Sequence, residues 1–427
     1  NFFVSDIKEL APTLREAFKI ANSGRKGPVL VDIPKDVTAA ITEYEKAAPE
    51  VIIDNTVINE DEVKKAAALI NKAKRPVIEI GGGVVSSEAS DLVRMLVNKT
   101  GAPCCHTLMA AGVLGYSEKL NYGLVGMHGS FVTNKAIDEA DVLVAIGTRF
   151  SDRVALNTNR FAHKAKVIQI DIDLSEIDKN VKVDYALVGD VKTIVMDLLH
   201  YVKQSDRTDW LKTLDEYKNS DYHPVDSDKF ITPHQLIRAI CENVPKDTVY
   251  VTDVGQHQMW AAQSLEQTDP RSFLTSGGLG TMGYGYGAAI GAKVAFPDRR
   301  VIHITGDGSF HMNMNEMATA VSEQLPIVIL IFNNTVLGMV RQWQTLFYDH
   351  RYSNTSIERK TDYVKLAEAF GGKGLRIKTH QDIEPVMKEA LSSKVPCIVD
   401  CWIDKDDCVY PIIPPGKSGK DIILYGN

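Results

Sequence analysis

The sequence predicts an α/β protein: parallel sheets covered by helices on both faces, repeated along the chain. Three observations carry this. Short runs rich in β-branched and other apolar residues recur as "PVIEI" (76–80), "DVLVAIG" (141–147), "KVIQIDID" (166–173) and "PIVILIF" (326–332). A near-continuous apolar run belongs to a strand buried on both faces. Stretches of helical period separate these runs, as βαβ crossovers require. The length, 427 residues, exceeds what one core of about 250–300 residues supports, so the chain divides into units.

Taken in order, the first residues show a helical spacing (Ile7, Leu10, Leu14, Phe18) that runs into "GPVLVDIP", a buried strand. This reads as the tail of an αβ unit, residues 1–40, whose beginning lies outside the sequence; a targeting segment before it stays open. Residues 41–58, with Pro49 and Asn55, read as a linker. A second unit, 59–204, opens with a helix (Val63, Ala66, Ala67, Ile70). It continues through "PVIEI" into Gly81-Gly82-Gly83 and on to "ALVGD" at 186–190. The triple glycine lacks the GxGxxG spacing, so a turn or helix cap competes with a nucleotide loop there. Residues 205–230 are polar and read as a second linker. A third unit, 231–427, starts with Thr232 capping a helix that has Pro233 in its first turn. Strand "TVYVTDVG" (248–255) follows, then a small-residue helix (282–295), strand 301–305, a helix from about 309 to 323, and strands 326–332 and 396–403.

Composition excludes several classes. A net charge of −7 with no long run of either sign argues against a nucleic-acid surface. No apolar stretch approaches the roughly 20 residues of a membrane span. Six cysteines without metal-type spacing read as reduced, mostly buried thiols of a cytoplasmic protein.

The chemistry concentrates in "ITGDGSFHMNMNE" (304–316). A buried strand ends with a lone carboxylate between two glycines. After one crossover, the neighbouring strand ends in Asn333-Asn334. Carboxyl ends of parallel strands are where open α/β sheets bind ligands. A carboxylate, an amide oxygen and a backbone carbonyl make a hard oxygen site suited to Mg²⁺, and the glycines let backbone N–H groups approach a phosphate. A turn and a helix cap are the bland alternatives for either fragment alone; together they favour a metal–diphosphate site.

The Gly-Asp-Gly and Asn-Asn spacing resembles the thiamin diphosphate signature. Over essentially the whole chain the sequence is similar to the catalytic large subunit of acetohydroxyacid (acetolactate) synthases. The resemblance rests on "VGQHQMWAAQ" (254–263), "SGGLGTMGYG" (276–285) and "NNTVLGMVRQWQ" (333–344), and in the central unit on "HTLMAAGVLG", "GMHG", "GTRFSDR" and "GD" (189–190). It implies the thiamin diphosphate-binding αβα fold with a Rossmann-like central domain that binds FAD. Residues 1–40 would end the pyrimidine-binding domain, and 231–427 would bind the diphosphate.

It also implies site residues. Asp307, Asn334 and the Val336 carbonyl would bind Mg²⁺. Gly255, Gln256, His257, Gly280, Met282, Gly308, Ser309, Met312, Gly338, Met339 and Val340 would hold thiamin diphosphate. Gly81, Gly82, Gly83, Thr107, Leu108, Met109, Met127, His128, Gly147, Arg149, Asp152, Arg153, Asp171 and Asp190 would meet FAD. Arg153, Trp343, Met127 and Lys35 would form the substrate pocket. Taken singly, Trp343 would more often be a core or interface aromatic and Met282, Met312 and Met339 core fillers, while His128 and His257 also read as structural histidines and Arg153 as a surface ion pair.

The sequence departs from the family at Ser151, where an acidic residue is usual, and at Tyr286-Gly287, where Leu-Pro is usual. The glutamate that activates thiamin in the family belongs to the first domain, and no residue here takes that role. The chain as it stands is therefore expected to be inactive. The implied reaction joins pyruvate to a second 2-keto acid, pyruvate or 2-ketobutyrate, with loss of CO₂. The product is 2-acetolactate or 2-aceto-2-hydroxybutyrate, the first common step toward isoleucine and valine. FAD would be structural. A homodimer or tetramer with inter-subunit active sites and a small regulatory subunit are the implied partners. Pyruvate oxidase, glyoxylate carboligase and a non-catalytic nucleotide-binding scaffold are the competing readings.

Overall fold

The computed structural model describes residues 1–48, 58–357 and 360–426. Part of the stretch expected as the first linker, residues 49–57 with Pro49 and Asn55, lies outside the described residues. Among the described residues fourteen strands form three sheets, all parallel. β1 (Phe2–Phe3) and β2 (Val31–Asp32) pair beside the helix Ile7–Asn22. The N-terminal strand is thus shorter than "GPVLVDIP", and Phe18 of the helix is exposed.

The central sheet holds β3 (Pro76–Ile80), β4 (Cys104–His106), β5 (Asn121–Leu124), β6 (Val142–Ile146), β7 (Lys166–Asp171) and β8 (Tyr185–Val188), in the order β5-β4-β3-β6-β7-β8. Counted within the sheet this is 3-2-1-4-5-6, the Rossmann order, with its switch point between β3 and β6. The second six-stranded sheet holds β9 (Val249–Thr252), β10 (Phe273–Thr275), β11 (Val301–Gly306), β12 (Val328–Asn333), β13 (Lys373–Ile377) and β14 (Cys397–Trp402), in the order β10-β9-β11-β12-β14-β13. Its switch point lies between β9 and β11.

Both sheets are sandwiched because their strands are apolar on both faces. Ile78, Ile80, Val144, Ile146 and Ile168 enter one central core, while Val77, Leu143, Ala145 and Val167 enter the other. Ile302, Ile304, Leu330 and Phe332 likewise face one cluster, and Val249, Val251, Ile329 and Ile331 its opposite. Alternate residues of each strand feed alternate layers, as the two-residue period demands.

Three local features differ from the sequence reading. The 205–230 stretch carries the helix Thr208–Lys218, whose Trp210 and Leu214 are buried in the central unit. The strands β4, β5 and β13 carry weak signals in the sequence; β13 (KGLRI) is an edge strand whose residues are partly buried except for the fully buried Ile377. The helix expected over 309–323 is broken into Asp307–Asn313, a 3₁₀ turn Met314–Glu316, and Met317–Ser322. Asn313 leaves helical geometry (φ −142°), and its side-chain amide is diverted to the Gly283 carbonyl at 3.2 Å. The break lets Met317 turn into the core, where the Tyr286 hydroxyl meets its sulfur.

The last residues return to the central unit. The Ile413 N–H donates to the Met127 carbonyl at 2.8 Å, and the Asn157 amide donates to the Gly416 carbonyl at 3.0 Å. None of the six cysteines is paired, and Cys104, Cys105, Cys397 and Cys401 are buried. Among the described residues no helix is long and apolar enough to cross a membrane.

Candidate active site

One cleft of about 1620 Å³ runs between the carboxyl ends of the two large sheets. Its central wall is built at the β3/β6 switch point. There Gly81 approaches the loop after β6 so closely that a Cβ would lie 2.3 Å from the Gly147 carbonyl oxygen. Only glycine permits this contact, which brings the two loops of the switch point together. Every residue assigned to FAD from the sequence lines this cleft, from Gly81 through Thr107, Met127, Gly147 and Asp171 to Asp190.

Sequence reasoning missed the ion pair of Arg25 and Glu176 at this wall. Arg25, from the first unit, pairs with Glu176 at 2.6 Å and with Asp173 at 3.2 Å. Arg25 and Glu176 line the cleft. Glu176 Oε2 is buried without a hydrogen-bond partner, a free acceptor suited to a ribose hydroxyl. Burial would raise the Glu176 carboxyl, yet Lys179 and Arg25 hold it below its ordinary range. The Asp171 carboxyl is pushed up by burial. His128 is also buried; desolvation, opposed by a hydrogen bond with Pro411, lowers its pKa to about 4, so it stays neutral. Its Nδ1 has no partner. No short sequence motif could have marked Arg25, because its partners lie about 150 residues away.

The opposite wall comes from the second sheet. Gly255, Gly280, Met282, Met339, Val340 and Trp343 line the cleft, with Val254, Gln258 and Met259, which the motif reading passed over. Gly277 packs against the Met109 sulfur, so the 276–283 segment touches the central wall directly. Arg153 and Met127 from one unit and Trp343 from the other therefore share one space. Arg153 is largely exposed and pairs with Asp152 at 3.3 Å. Trp343 is half-buried, edge-on to Phe347 at 5.5 Å. Lys35 is exposed at the start of the helix Lys35–Ala39 and does not line the cleft.

Beneath the cleft floor lie the remaining predicted residues. Asp307 follows β11 and Asn334 follows β12; the strands are neighbours in register, with Gly306 opposite Phe332, and both side chains are buried. The Asn334 amide nitrogen contacts Gln256 Oε1 at 3.4 Å, and its oxygen accepts from the Val336 N–H at 3.3 Å. The Gln256 amide nitrogen is taken by Gln342 Oε1 (2.9 Å) and the Asp407 carbonyl (2.8 Å). Ser309 donates to the Val254 carbonyl at 2.9 Å, tying the Asp307 helix to the end of β9. His257 is fully buried; desolvation lowers its pKa to about 4, and its Nε2 has no partner. Gly308 is packed under Leu337, and Gly338 lies against Gln256, while Met312 is exposed beside Gly283.

The donor set fits the expected groups. One carboxylate, one amide oxygen and one main-chain carbonyl at adjacent strand ends suit Mg²⁺, which keeps phosphate and water in its remaining positions. The orphaned His257 nitrogen suits a phosphate oxygen, and the orphaned Glu176 oxygen a nucleotide ribose. Among the described residues no three His, Cys, Asp or Glu cluster as a separate metal centre.

Comparison with known proteins agrees with this arrangement. Residues 253–401 match the family described as "Thiamine pyrophosphate enzyme, C-terminal TPP binding domain", and residues 63–198 match "Thiamine pyrophosphate enzyme, central domain". A probable acetolactate synthase large subunit from Methanocaldococcus jannaschii is 44% identical, over 99% of this chain and 74% of that protein. The chain belongs to the acetolactate synthase large-subunit family. Acetolactate synthase of Mycobacterium leprae is 42% identical, over 99% of this chain and 70% of that protein. The isozyme 1 large subunit of Escherichia coli is 39% identical, over 99% and 75%. The synthase relatives thus span both walls of the cleft.

Proposed function

We propose that the protein catalyses the thiamin diphosphate-dependent condensation of pyruvate with a second 2-keto acid, pyruvate or 2-ketobutyrate, releasing CO₂ and giving 2-acetolactate or 2-aceto-2-hydroxybutyrate. The observation that supports it best is the shared cleft. Met127 and Arg153 of the flavin wall face the same space as Met339, Val340 and Trp343 of the thiamin wall.

Thiamin diphosphate, when bound, supplies the electron sink for decarboxylation. The chain's own residues do the rest. Asp307, Asn334 and the Val336 carbonyl would hold Mg²⁺, and Gly255 and His257 would hold the diphosphate. Met282, which lines the cleft, would pack against the cofactor. The Arg153 guanidinium would clamp the acceptor carboxylate through paired N–H groups. Trp343 would favour the larger acceptor by apolar contact, worth about 1–3 kcal/mol per methylene. FAD would stand at the central wall as a structural group. Residues 1–40 would then end a pyrimidine-binding domain, 59–204 form the flavin domain and 231–427 the diphosphate domain. A further copy of the chain and a small regulatory subunit are the expected partners; the name of the E. coli relative, a large subunit, supports the latter.

The test supplies the full-length protein, rather than residues 1–427 alone, with pyruvate, thiamin diphosphate, Mg²⁺ and FAD, assays acetolactate and follows the flavin spectrum. Acetolactate with an unbleached flavin is expected. Flavin bleached by pyruvate without acetolactate would mean an oxidase.

A further inference from the structure

Asp253 has no place in the motif reading, yet it joins three segments that carry the thiamin wall. It directly follows β9 and is 1% exposed. One carboxylate oxygen accepts from the Gly285 N–H at 2.7 Å. The other faces His303 Nε2 at 3.0 Å and accepts from the Thr305 hydroxyl at 2.6 Å. His303 is itself fully buried in β11. Its ring stacks on Tyr286, with centroids 5.6 Å apart and planes 7° from parallel. Gly285 is wedged over the pair: a Cβ there would lie 2.4 Å from His303 Nε2 and 2.9 Å from the Asp253 nitrogen.

The placement gives the pair a task. The 276–283 segment, with Gly280 and Met282, is fixed at its start by Thr275, whose hydroxyl is held by Thr252 (2.8 Å) and Gln258 (2.7 Å). It is fixed at its far end by the bond from Gly285 to Asp253. Asp253 is tied in turn to His303 and Thr305, which lead directly into Gly306-Asp307. Burial alone would raise the Asp253 carboxyl, but the bonds from His303, Thr305 and Gly285 hold it far below the ordinary range. The carboxylate is therefore charged, and His303 must present its proton at Nε2. His303 Nδ1 has no partner, so Asp253 is its sole hydrogen-bond partner among the described residues.

We propose that the buried Asp253–His303 pair positions the thiamin cradle by locking the 276–283 segment and the Gly306-Asp307 loop to one shared carboxylate. Neither residue touches the cofactor. They act through Met282 on one side and Asp307 on the other. The inference rests on the thiamin diphosphate reading of the cleft.

The experiment compares wild-type protein with H303F, H303Q and T305V by titrating thiamin diphosphate with Mg²⁺ and reading tryptophan fluorescence, alongside thermal melting without cofactor. Phe keeps the stack on Tyr286 and loses the N–H donor; Gln restores a donor at the reach of Nε2. H303F is expected to weaken thiamin diphosphate binding by about tenfold or more, the weight of one hydrogen bond to a charged group. H303Q is expected to recover most of that loss. T305V, which removes only one donor, should weaken binding by roughly threefold and keeps the test open if H303F does not fold. A lowered melting temperature with unchanged cofactor affinity in these variants would overturn the proposal. Failure of the wild-type protein to bind thiamin diphosphate would instead overturn the reading of the site.

Discussion

Each of the two large sheets buries a carboxylate in or just after its first strand, and the two are opposites. Glu79 lies in β3 of the central sheet and is 0% exposed. It receives one side-chain donor, the Thr148 hydroxyl at 2.8 Å, and its Oε2 has no partner. Burial pushes its pKa up from 4.5 to about 7. Asp253 after β9 is buried as deeply, yet three donors hold it well below the usual carboxylate range. Depth is the same, so donor count decides the charge. Desolvation disfavours the ionised form, and only hydrogen bonds to that form repay it. The second sheet invests those donors beside the thiamin wall, where loops must be held. In the central sheet the approach of the Gly81 and Gly147 backbones already fixes the switch point.

Removing the charge where it is compensated should cost most. Asp253→Ala would strand the His303 and Gly285 donors and the Thr305 hydroxyl in a dry core, costing about 3–5 kcal/mol of stability. Urea unfolding measures this, and a loss below about 1 kcal/mol would show that the three bonds are not compensating a buried charge.

The pH dependence of Glu79 comes next. Its folded pKa stands above the ordinary value, so the stability it contributes is fully present below about pH 4.5 and is lost as pH rises toward 7 and beyond. Between pH 4.5 and 8 the wild-type protein should lose up to about 3 kcal/mol that Glu79→Gln retains. Asp407, also raised to about 7 by burial, acts with the same sign in both proteins, so the difference between them isolates Glu79. Asp253 has the reverse sign. Its contribution is present above the ordinary pKa of 3.8 and disappears only in strong acid. Parallel pH curves for wild type and the Gln variant would contradict the contrast.

Gly285→Ala sharpens the comparison from the packing side. A methyl group 2.4 Å from His303 Nε2 must push the pair apart, at a cost of about 2 kcal/mol. A crystal structure of the variant should show the Asp253–His303 contact lengthened. The smallest effect belongs to an exposed carboxylate. Asp152, 80% exposed and paired with Arg153, should change stability by no more than a few tenths of a kcal/mol when replaced by Asn. A larger change in the melting midpoint would mean that solvent does not screen this pair.

The strands on either side of the Gly-Asp-Gly loop were legible because their apolar runs have a local cause. The strands expected at 301–305 and 326–332 are observed as Val301–Gly306 and Val328–Asn333, and Thr232 and Pro233 start their helix with a full capping box. The Gly81-Gly82-Gly83 loop was legible as a loop, but its reason for being glycine was not, since that reason is a backbone 66 residues away. The helix break at Asn313 was hidden because the Met314 and Met317 spacing continues the helical period through it. Nothing local announces that the Asn313 amide will be drawn to Gly283.

The sequence by itself determined the alternation of buried strands with helices, the loops that end them, and the pattern at Asp307 and Asn334 that points to a metal and a diphosphate. These follow from side-chain period, backbone freedom and donor type, which are properties of neighbours in the chain. The order of the strands, the cleft joining Arg153 to Trp343, the clasp of Arg25 on Glu176, and the opposite charges of Glu79 and Asp253 were decided only in three dimensions. Each depends on how many donors a group meets once water has been removed, and those donors come from segments that the chain brings together only by folding.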